Sequence, residues 1–273
     1  DAFSESKEHG SKVIEVTALI ERLTMGNGIT LKDVRGQATF LGNQLTGGKL
    51  EAFLGETDKI RIEVTTSQDV GRVMLVSDNA GEFLRLLNLS SNLIGGRLFL
   101  DARYGTTETE HILNGDCTIE NFHLKNTPIL AQLLSMSLPT NVFEILSGKG
   151  LPFAKLQAPF EYENSVLSIS KARATGISLG ITSSGEIDLE RKSVDLSGNI
   201  IPAYLLNNLV GTVPVIGDIL TGPEREGIFA ANYTAKGSLE DLEIFVNPLT
   251  VLAPGILREL FDLFTPEKPQ PIQ

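Results

Sequence analysis

The sequence is poor in the residue types that build disulfides, metal centres and nucleic-acid interfaces. Its 273 residues include one cysteine, no tryptophan and three histidines. With Cys117 alone, no disulfide can form within the chain. The 34 acidic residues outnumber the 23 basic ones, which gives a formal charge of −11 at pH 7. This charge disfavours a nucleic-acid partner, and it disfavours a polybasic contact with anionic lipid headgroups.

Long apolar runs are also missing. No uninterrupted apolar stretch reaches the length of about 18 residues that a transmembrane helix needs, so none is predicted. The nearest candidate, residues 200–220, is broken by two prolines and two glycines. The chain begins at Asp1 without a signal peptide, and we expect it to be a piece of a longer or processed protein.

The sequence does contain many short runs in which apolar and polar residues alternate, as they do in half-buried strands. In residues 59–65 the apolar side chains point to one face of the strand and the charged ones to the other. The apolar residues are Ile60, Ile62 and Val64, and the charged ones are Lys59, Arg61 and Glu63. Residues 96–104 repeat the pattern with Leu98 and Leu100. Strands are predicted at residues 13–23, 29–34, 37–41, 49–54, 59–65, 96–104, 108–113, 116–124, 153–162, 165–174, 177–189, 193–200, 228–236 and 241–246.

Helices are predicted where the alternation stops. Asp78 or Asn79 can cap a helix over residues 78–89. Further helical segments are predicted at residues 127–138, 140–146, 202–220 and 248–264. The apolar segments 128–138, 202–220 and 248–264 have two interpretations. They are ordinary core helices, or they close or line a groove that carries lipid, or dip into a membrane.

The predicted fold class is mainly β with inserted helices. We expect a long, curved, mostly antiparallel sheet that forms an apolar groove, with short amphipathic helices at its end. So many alternating strands give one long apolar face, and a few helices cover only part of it. An uncovered apolar face of that size is unusual unless it binds something.

Residues 176–180 match the Gly-x-Ser-x-Gly motif of esterases, with Ser178 as the nucleophile. That motif requires a strand before the serine, a helix after it and a histidine later in the chain. All three histidines precede Ser178, and residues 181–189 alternate like a strand. A bend between two strands is therefore the favoured interpretation, and an esterase is the remote alternative.

Two other motif-like segments predict no chemistry. Metal-ligand residue types occur at His111, Asp116, Cys117 and His123, without the close pairs of a structural zinc site. We expect neither a metal nor a cofactor. Residues 42–49 loosely match a phosphate-binding loop, but the lysine follows the wrong glycine, so a hairpin turn is favoured instead. Glycine-containing turns are also predicted at residues 26–28 and 46–48.

The C-terminal part of the chain contains an ordered series of short motifs. The sharpest are Gly198–Asn199, Pro202–Tyr204, Pro214–Gly217, Leu220–Gly222, Glu226–Phe229, Val246–Leu249 and Leu252–Arg258. Others are Asp78–Gly81, Gly95–Leu98, Pro128–Leu130, Leu133–Leu134 and Leu146–Phe153. This series resembles the signature of the AsmA-like C-terminal family, the YhdP-type proteins of the bacterial envelope. The resemblance covers residues 78–273, and residues 1–77 are interpreted as groove strands that continue an upstream repeat in the same sheet.

The resemblance implies a non-catalytic, bridge-like lipid transfer protein. Family members have an N-terminal inner-membrane anchor and a long periplasmic body, so the expected location is the periplasm and the expected role lies in outer-membrane biogenesis. The expected partners are phospholipid, a membrane surface at one end and the remainder of the full-length protein. An envelope-assembly scaffold without lipid cargo is the alternative.

Two sets of site residues follow from this interpretation. The predicted groove lining is Ile60, Ile62, Val64, Leu98 and Leu100. The predicted terminal gate or membrane contact is Tyr204, Leu205, Val215, Ile216, Leu252, Ile256, Leu257 and Phe261.

Overall fold

A computed structural model describes residues 12–42, 44–67, 70–105, 112–125, 150–177, 179–202, 230–239 and 242–249. These residues form thirteen strands and one short helix. The strands are β1 Val13–Thr24, β2 Thr30–Leu41, β3 Gln44–Leu54, β4 Asp58–Ser67, β5 Val70–Ser77, β6 Leu93–Gly105, β7 Leu113–Leu124, β8 Leu151–Glu163, β9 Val166–Gly176, β10 Leu179–Asp188, β11 Ser193–Pro202, β12 Ala230–Ser238 and β13 Leu242–Leu249. The helix α1 spans Ala80–Leu86.

All thirteen strands belong to one long, curved and open antiparallel sheet, and their spatial order is their order in the sequence. The predicted fold class is confirmed. The predicted boundary between residues 77 and 78 lies between β5 and β6, which pair with each other from Val70 and Gly105 to Ser77 and Leu98. The strands on the two sides of that boundary therefore share one sheet.

The edge strand β1 is unusually exposed. Among the described strands it pairs with β2 alone, and almost all of its residues are exposed. The exposed fraction reaches 76% at Leu19 and 59% at Val13. A long apolar edge is normally protected, because its free backbone groups recruit other strands.

Helix α1 forms where residues 78–89 were predicted to be helical. Asn79 is the N-cap, and its side-chain oxygen accepts a hydrogen bond of 3.1 Å from the backbone N–H of Glu82. The helix buries Phe83 and Leu86 in the main apolar cluster of the sheet. At its C-terminus, Asn27 from the β1–β2 turn donates to the carbonyl oxygens of Arg85 and Leu86, at 2.9 and 3.0 Å. The helix is thereby held against one end of the sheet.

The structure corrects several predicted strand limits. The strands predicted at residues 29–34 and 37–41 form the single strand β2, because Arg35 and Gly36 between them pair with both β1 and β3. A bulge at Asp33, whose φ is 48°, lies within the first of the two predicted strands. The turn predicted at residues 46–48 is wrong, since these residues lie inside β3. The sequence interpretation also named no strand at β5. At the C-terminal side, β11 and β13 extend to Pro202 and Leu249, so residue 202 and residues 248–249 are strand rather than helix.

The remaining helical predictions lie outside the described residues. These are the segments 127–138, 140–146, 203–220 and 250–264. Residues 108–111 of the strand predicted at 108–113 also lie outside them, and β7 begins at Leu113.

Candidate functional site: the apolar face of the sheet

The strand register places the five predicted lining residues on one face of the sheet. Residues directly opposite each other on antiparallel strands project to the same side. Across β4, β5 and β6 the opposed residues form three successive rows: Ile60, Ser77 and Leu98; Ile62, Leu75 and Leu100; Val64, Val73 and Ala102. We call the side that bears these rows the apolar face, and the opposite side, which bears Lys59, Arg61 and Glu63, the charged face.

One row of the apolar face crosses the whole sheet without a polar side chain. Starting from Val64, the pairing can be followed in both directions to the two edge strands. The row consists of Val16, Ala38, Gly48, Val64, Val73, Ala102, Gly115, Phe160, Ile169, Gly185, Leu196, Ala235 and Ile244, one residue from each strand. The apolar face is therefore continuous from β1 to β13.

The predicted lining residues differ in access. Ile60 and Leu98 are each 2% exposed and belong to the same buried cluster as Phe83 of α1. Ile62, Val64 and Leu100 are partly exposed. A ligand on the apolar face can thus reach the second group, whereas Ile60 and Leu98 act as core residues in this structure.

A depression of about 250 Å³ lies on the apolar face over β1 to β4. Small residues make its floor, since Gly36 and Ala38 lie two residues apart on β2 and Gly48 of β3 lies directly opposite Ala38. A Cβ added at Gly36 would meet only the Cβ of Ala18, at 3.9 Å. The apolar side chains around this floor are Val16, Ala18, Leu45, Leu50, Ile62 and Val64, and Gln37 and Lys49 also line the depression. Two of the predicted lining residues thus border a pocket that is almost wholly apolar.

Sequence reasoning missed the floor of this depression. Residues 46–48 were interpreted as a turn because glycine pairs are typical of turns. In the structure Gly48 lies inside β3 opposite Ala38, and its missing side chain leaves space on the apolar face. The usable signal was the spacing of Gly36 and Ala38, because small residues two positions apart lie on the same face of a strand.

The charged face is stabilised by ion pairs between neighbouring strands. Arg72 of β5 donates two hydrogen bonds to the carboxylate of Asp101 on β6, at 2.6 and 2.7 Å. This contact lowers the pKa of Asp101 below its ordinary value. Lys59 lies 3.1 Å from Glu51, and Lys236 lies 2.9 Å from Asp195. The two faces of one sheet therefore differ sharply in chemistry.

Polar atoms on the apolar face are neutral or turned toward the backbone. Partial burial raises the pKa of the Cys117 thiol to about 11, so the thiol is uncharged at neutral pH. The hydroxyl of Tyr233 donates to the backbone carbonyl of Thr182 at 3.0 Å, and burial raises the pKa of this tyrosine. The Ser77 hydroxyl donates to the carbonyl of Asn79 at 3.2 Å.

The Gly-x-Ser-x-Gly segment lies between two strands. Ser178 itself is outside the described residues, but β9 ends at Gly176 and β10 begins at Leu179. A nucleophile elbow needs a helix after the serine, and a strand occupies that position here.

The predicted metal-ligand types are spread over both faces. Asp116 pairs with Asp101 on the charged face, and the next residue, Cys117, pairs with Leu100 on the apolar face. His111 lies outside the described residues. Within the described ranges, no group of three or more histidine, cysteine or carboxylate side chains could hold a metal ion.

All eight predicted gate residues lie outside the described residues, so their positions relative to the groove stay a prediction. They are Tyr204, Leu205, Val215, Ile216, Leu252, Ile256, Leu257 and Phe261. In the described part of the chain, no helix has the length and apolarity needed to cross a membrane. Comparison of the chain with known protein families, curated proteins and solved structures gave no match.

Proposed function

We propose that this chain is a non-catalytic lipid-binding and lipid-transfer module that carries phospholipid acyl chains along the apolar face. The observation that supports the proposal most is the unbroken row from Val16 to Ile244, in which each of the thirteen described strands contributes one apolar residue or glycine. Sheets with one solvated face normally pack the other against a core. Among the described residues, α1 is the one helix, and its seven residues are far shorter than this row.

The energetics suit such a role. Exposing an acyl chain of about 16 methylenes to water costs roughly 13 kcal/mol, at ~0.8 kcal/mol per methylene. Thirteen strands spaced by ~4.8 Å give an apolar path of about 58 Å along the sheet. A lipid that keeps its chains on this path while its headgroup stays in water avoids most of that cost at every step. The task requires no catalytic side chain.

The exposed edge of β1 is the place where the path would continue. In this proposal, upstream strands of the full-length protein pair with β1 and cover exposed residues such as Val13 and Leu19. The motif resemblance to the AsmA-like family supports the same arrangement, with a periplasmic body between an inner-membrane anchor and the outer membrane.

A photo-crosslinking experiment tests the proposal. Val64 and Glu63 are adjacent in sequence and project to opposite faces of β4. A photoreactive residue at position 64 should capture phospholipid in bacterial membranes or with phospholipid vesicles, and the same residue at position 63 should not. Native mass spectrometry of the purified chain should show bound phospholipid. Equal labelling at both positions, or no labelling and no bound phospholipid, would contradict lipid carriage and favour the scaffold without cargo.

A further inference from the structure

The charged face loses its charge in one region. Across β10 to β13, two adjacent rows on that face carry only hydroxyl, amide and aromatic side chains. One row is Thr182, Asn199, Asn232 and Asn247, and the next is Ser184, Ser197, Thr234 and Phe245. The row after these returns to charge, with Glu186, Asp195, Lys236 and Glu243. We call the two uncharged rows the hydroxyl-amide patch.

The patch is concave. An open cleft of about 940 Å³ runs over six of its eight residues, and the two on β13, Phe245 and Asn247, lie beside the cleft rather than in its lining. Lys171 stands at one side of the cleft and is the one charged residue among the described residues that line it. The cleft meets a second one of about 870 Å³ at Ser170, and that second cleft is lined by several carboxylates. The hydroxyl-amide patch is therefore a bounded surface within a more charged one.

Much of the hydrogen-bonding capacity in the patch is directed to solvent. Asn199 donates to the hydroxyl of Thr182 at 3.4 Å, which fixes one corner of the cleft. Within the described ranges, the side chains of Ser197, Asn232 and Thr234 form no hydrogen bond to protein, and all three residues are exposed. Hydroxyl and amide groups both donate and accept hydrogen bonds, so these side chains can match a ligand that does the same.

Phe245 adds a flat apolar surface beside these polar groups. Its side chain is 70% exposed, although its neighbours Ile244 and Val246 pack against the core on the other face. Phe245 stands directly opposite Thr234 at the rim of the uncharged rows. An exposed aromatic ring next to convergent hydroxyl and amide groups is a typical composition for a binding surface that orients a polar ligand.

We propose that the hydroxyl-amide patch binds a neutral glycan. A sugar ring presents hydroxyls that both donate and accept, and it also has an apolar face of C–H groups that stacks on an aromatic ring. The side chains of Ser197, Asn232 and Thr234 can hydrogen-bond to the sugar hydroxyls. The ring of Phe245 can stack on the C–H face of the sugar. A charged polymer would need countercharges that these rows lack, and the core of a protein interface would hold more apolar area. The patch lies on the opposite face from the lipid path, so this inference does not depend on the proposed function.

The test uses the full chain with two soluble probes, a hexamer of N-acetylglucosamine and a hexamer of glucose. Each is titrated into isotope-labelled protein, and amide shifts are followed by nuclear magnetic resonance. We expect at least one probe to bind, with shifts concentrated at β10 to β13. Tighter binding of the N-acetylglucosamine hexamer would show that the protein contacts the acetamido group, which glucose lacks.

Two variants and a control locate the binding surface. Phe245→Ala should weaken binding by at least about tenfold, the usual effect of truncating an aromatic anchor. Asn232→Ala should weaken it by a smaller factor. Leu19→Ala, also on the charged face and 76% exposed, should bind as the parent does. Absence of binding by both probes, shifts centred outside β10 to β13, or unchanged affinity in both Phe245→Ala and Asn232→Ala would overturn the proposal. Melting curves exclude unfolding as the cause of any loss.

Discussion

Tyr233 of β12 reaches across β11 and donates a hydrogen bond to the backbone carbonyl of Thr182 on β10, at 3.0 Å. Its ring passes beside Gly198 of β11, which stands directly opposite Tyr233 in the register. A Cβ at residue 198 would lie 1.9 Å from the Thr182 carbonyl oxygen and 2.9 Å from Cε1 of the Tyr233 ring. The close contact of three strands at this point therefore requires glycine.

Gly198→Ala should lower the free energy of unfolding by about 1–3 kcal/mol, the usual cost of forcing an extra carbon into a filled space. Chemical denaturation measures the change. Gly47→Ala is the matched control, because a Cβ at that strand glycine would meet only the Val64 carbonyl oxygen, at 3.9 Å. Equal stability of the two variants would contradict the packing described for Tyr233.

The buried thiol of Cys117 should make stability depend on pH in the alkaline range. Burial raises its pKa from 9.0 to about 11, so between these values only the unfolded chain releases the proton. The free energy of unfolding therefore does not depend on the ionisation of this thiol below pH 9.0. It falls as the pH rises from 9.0 toward 11, by at most about 1.4 kcal/mol per pH unit. Unfolding of the parent and of Cys117→Ala should be compared across this range. The loss should be shallower in Cys117→Ala, and parallel curves would show that the folded thiol is not desolvated.

Filling the depression on the apolar face should block lipid without unfolding the chain. Gly48 has space above it, since an added Cβ would lie 3.4 Å from the Gln37 carbonyl oxygen and 3.8 Å from Leu45 Cδ1, both ordinary contact distances. Gly48→Leu should reduce phospholipid captured by a photoreactive residue at Val64 several-fold while the melting temperature changes little. Gly47→Leu places the same side chain on the charged face and should leave capture unchanged. Equal capture in the two variants would show that lipid does not occupy this depression.

Ser178→Ala should leave phospholipid binding unchanged and should remove no hydrolytic activity. The motif around Ser178 lies between β9 and β10, and no histidine follows it in the sequence. Release of fatty acid from phospholipid or from a model ester, measured for both proteins, checks this. A parent activity that disappears in Ser178→Ala would restore the esterase interpretation.

The alternation of apolar and polar residues within single strands predicted much of this fold. It did not predict which residues of neighbouring strands lie opposite each other. Ile60, Ile62 and Val64 were assigned to one side from their period alone, and Asn79 was identified as a possible helix cap. The register that puts Val64 beside Val73 and Gly48 depends on the turns and bulges between strands, which local periodicity does not encode. For the same reason the burial of Ile60 and Leu98 near α1 was not foreseen.

Glycine misled the sequence interpretation at two positions. Glycine is typical of turns, and the residues around Gly36 and Gly48 were left between predicted strands. In the structure Gly36 lies in the interior of β2 and Gly48 lies in the interior of β3. A strand that must bend, or leave room above its surface, uses the same residues as a strand that ends.

Each interior strand of the described sheet is hydrogen-bonded to the described strands immediately before and after it. Such a meander can grow or shrink by whole hairpins without changing how any other strand is connected. Each hairpin adds about 10 Å of sheet, at ~4.8 Å per strand. Evolution could therefore adjust the span of such a protein to the width of a compartment by duplicating or deleting hairpins. Pairing between successive strands also lets the sheet assemble progressively from its first strands, since each described strand after β1 pairs with the described strand before it.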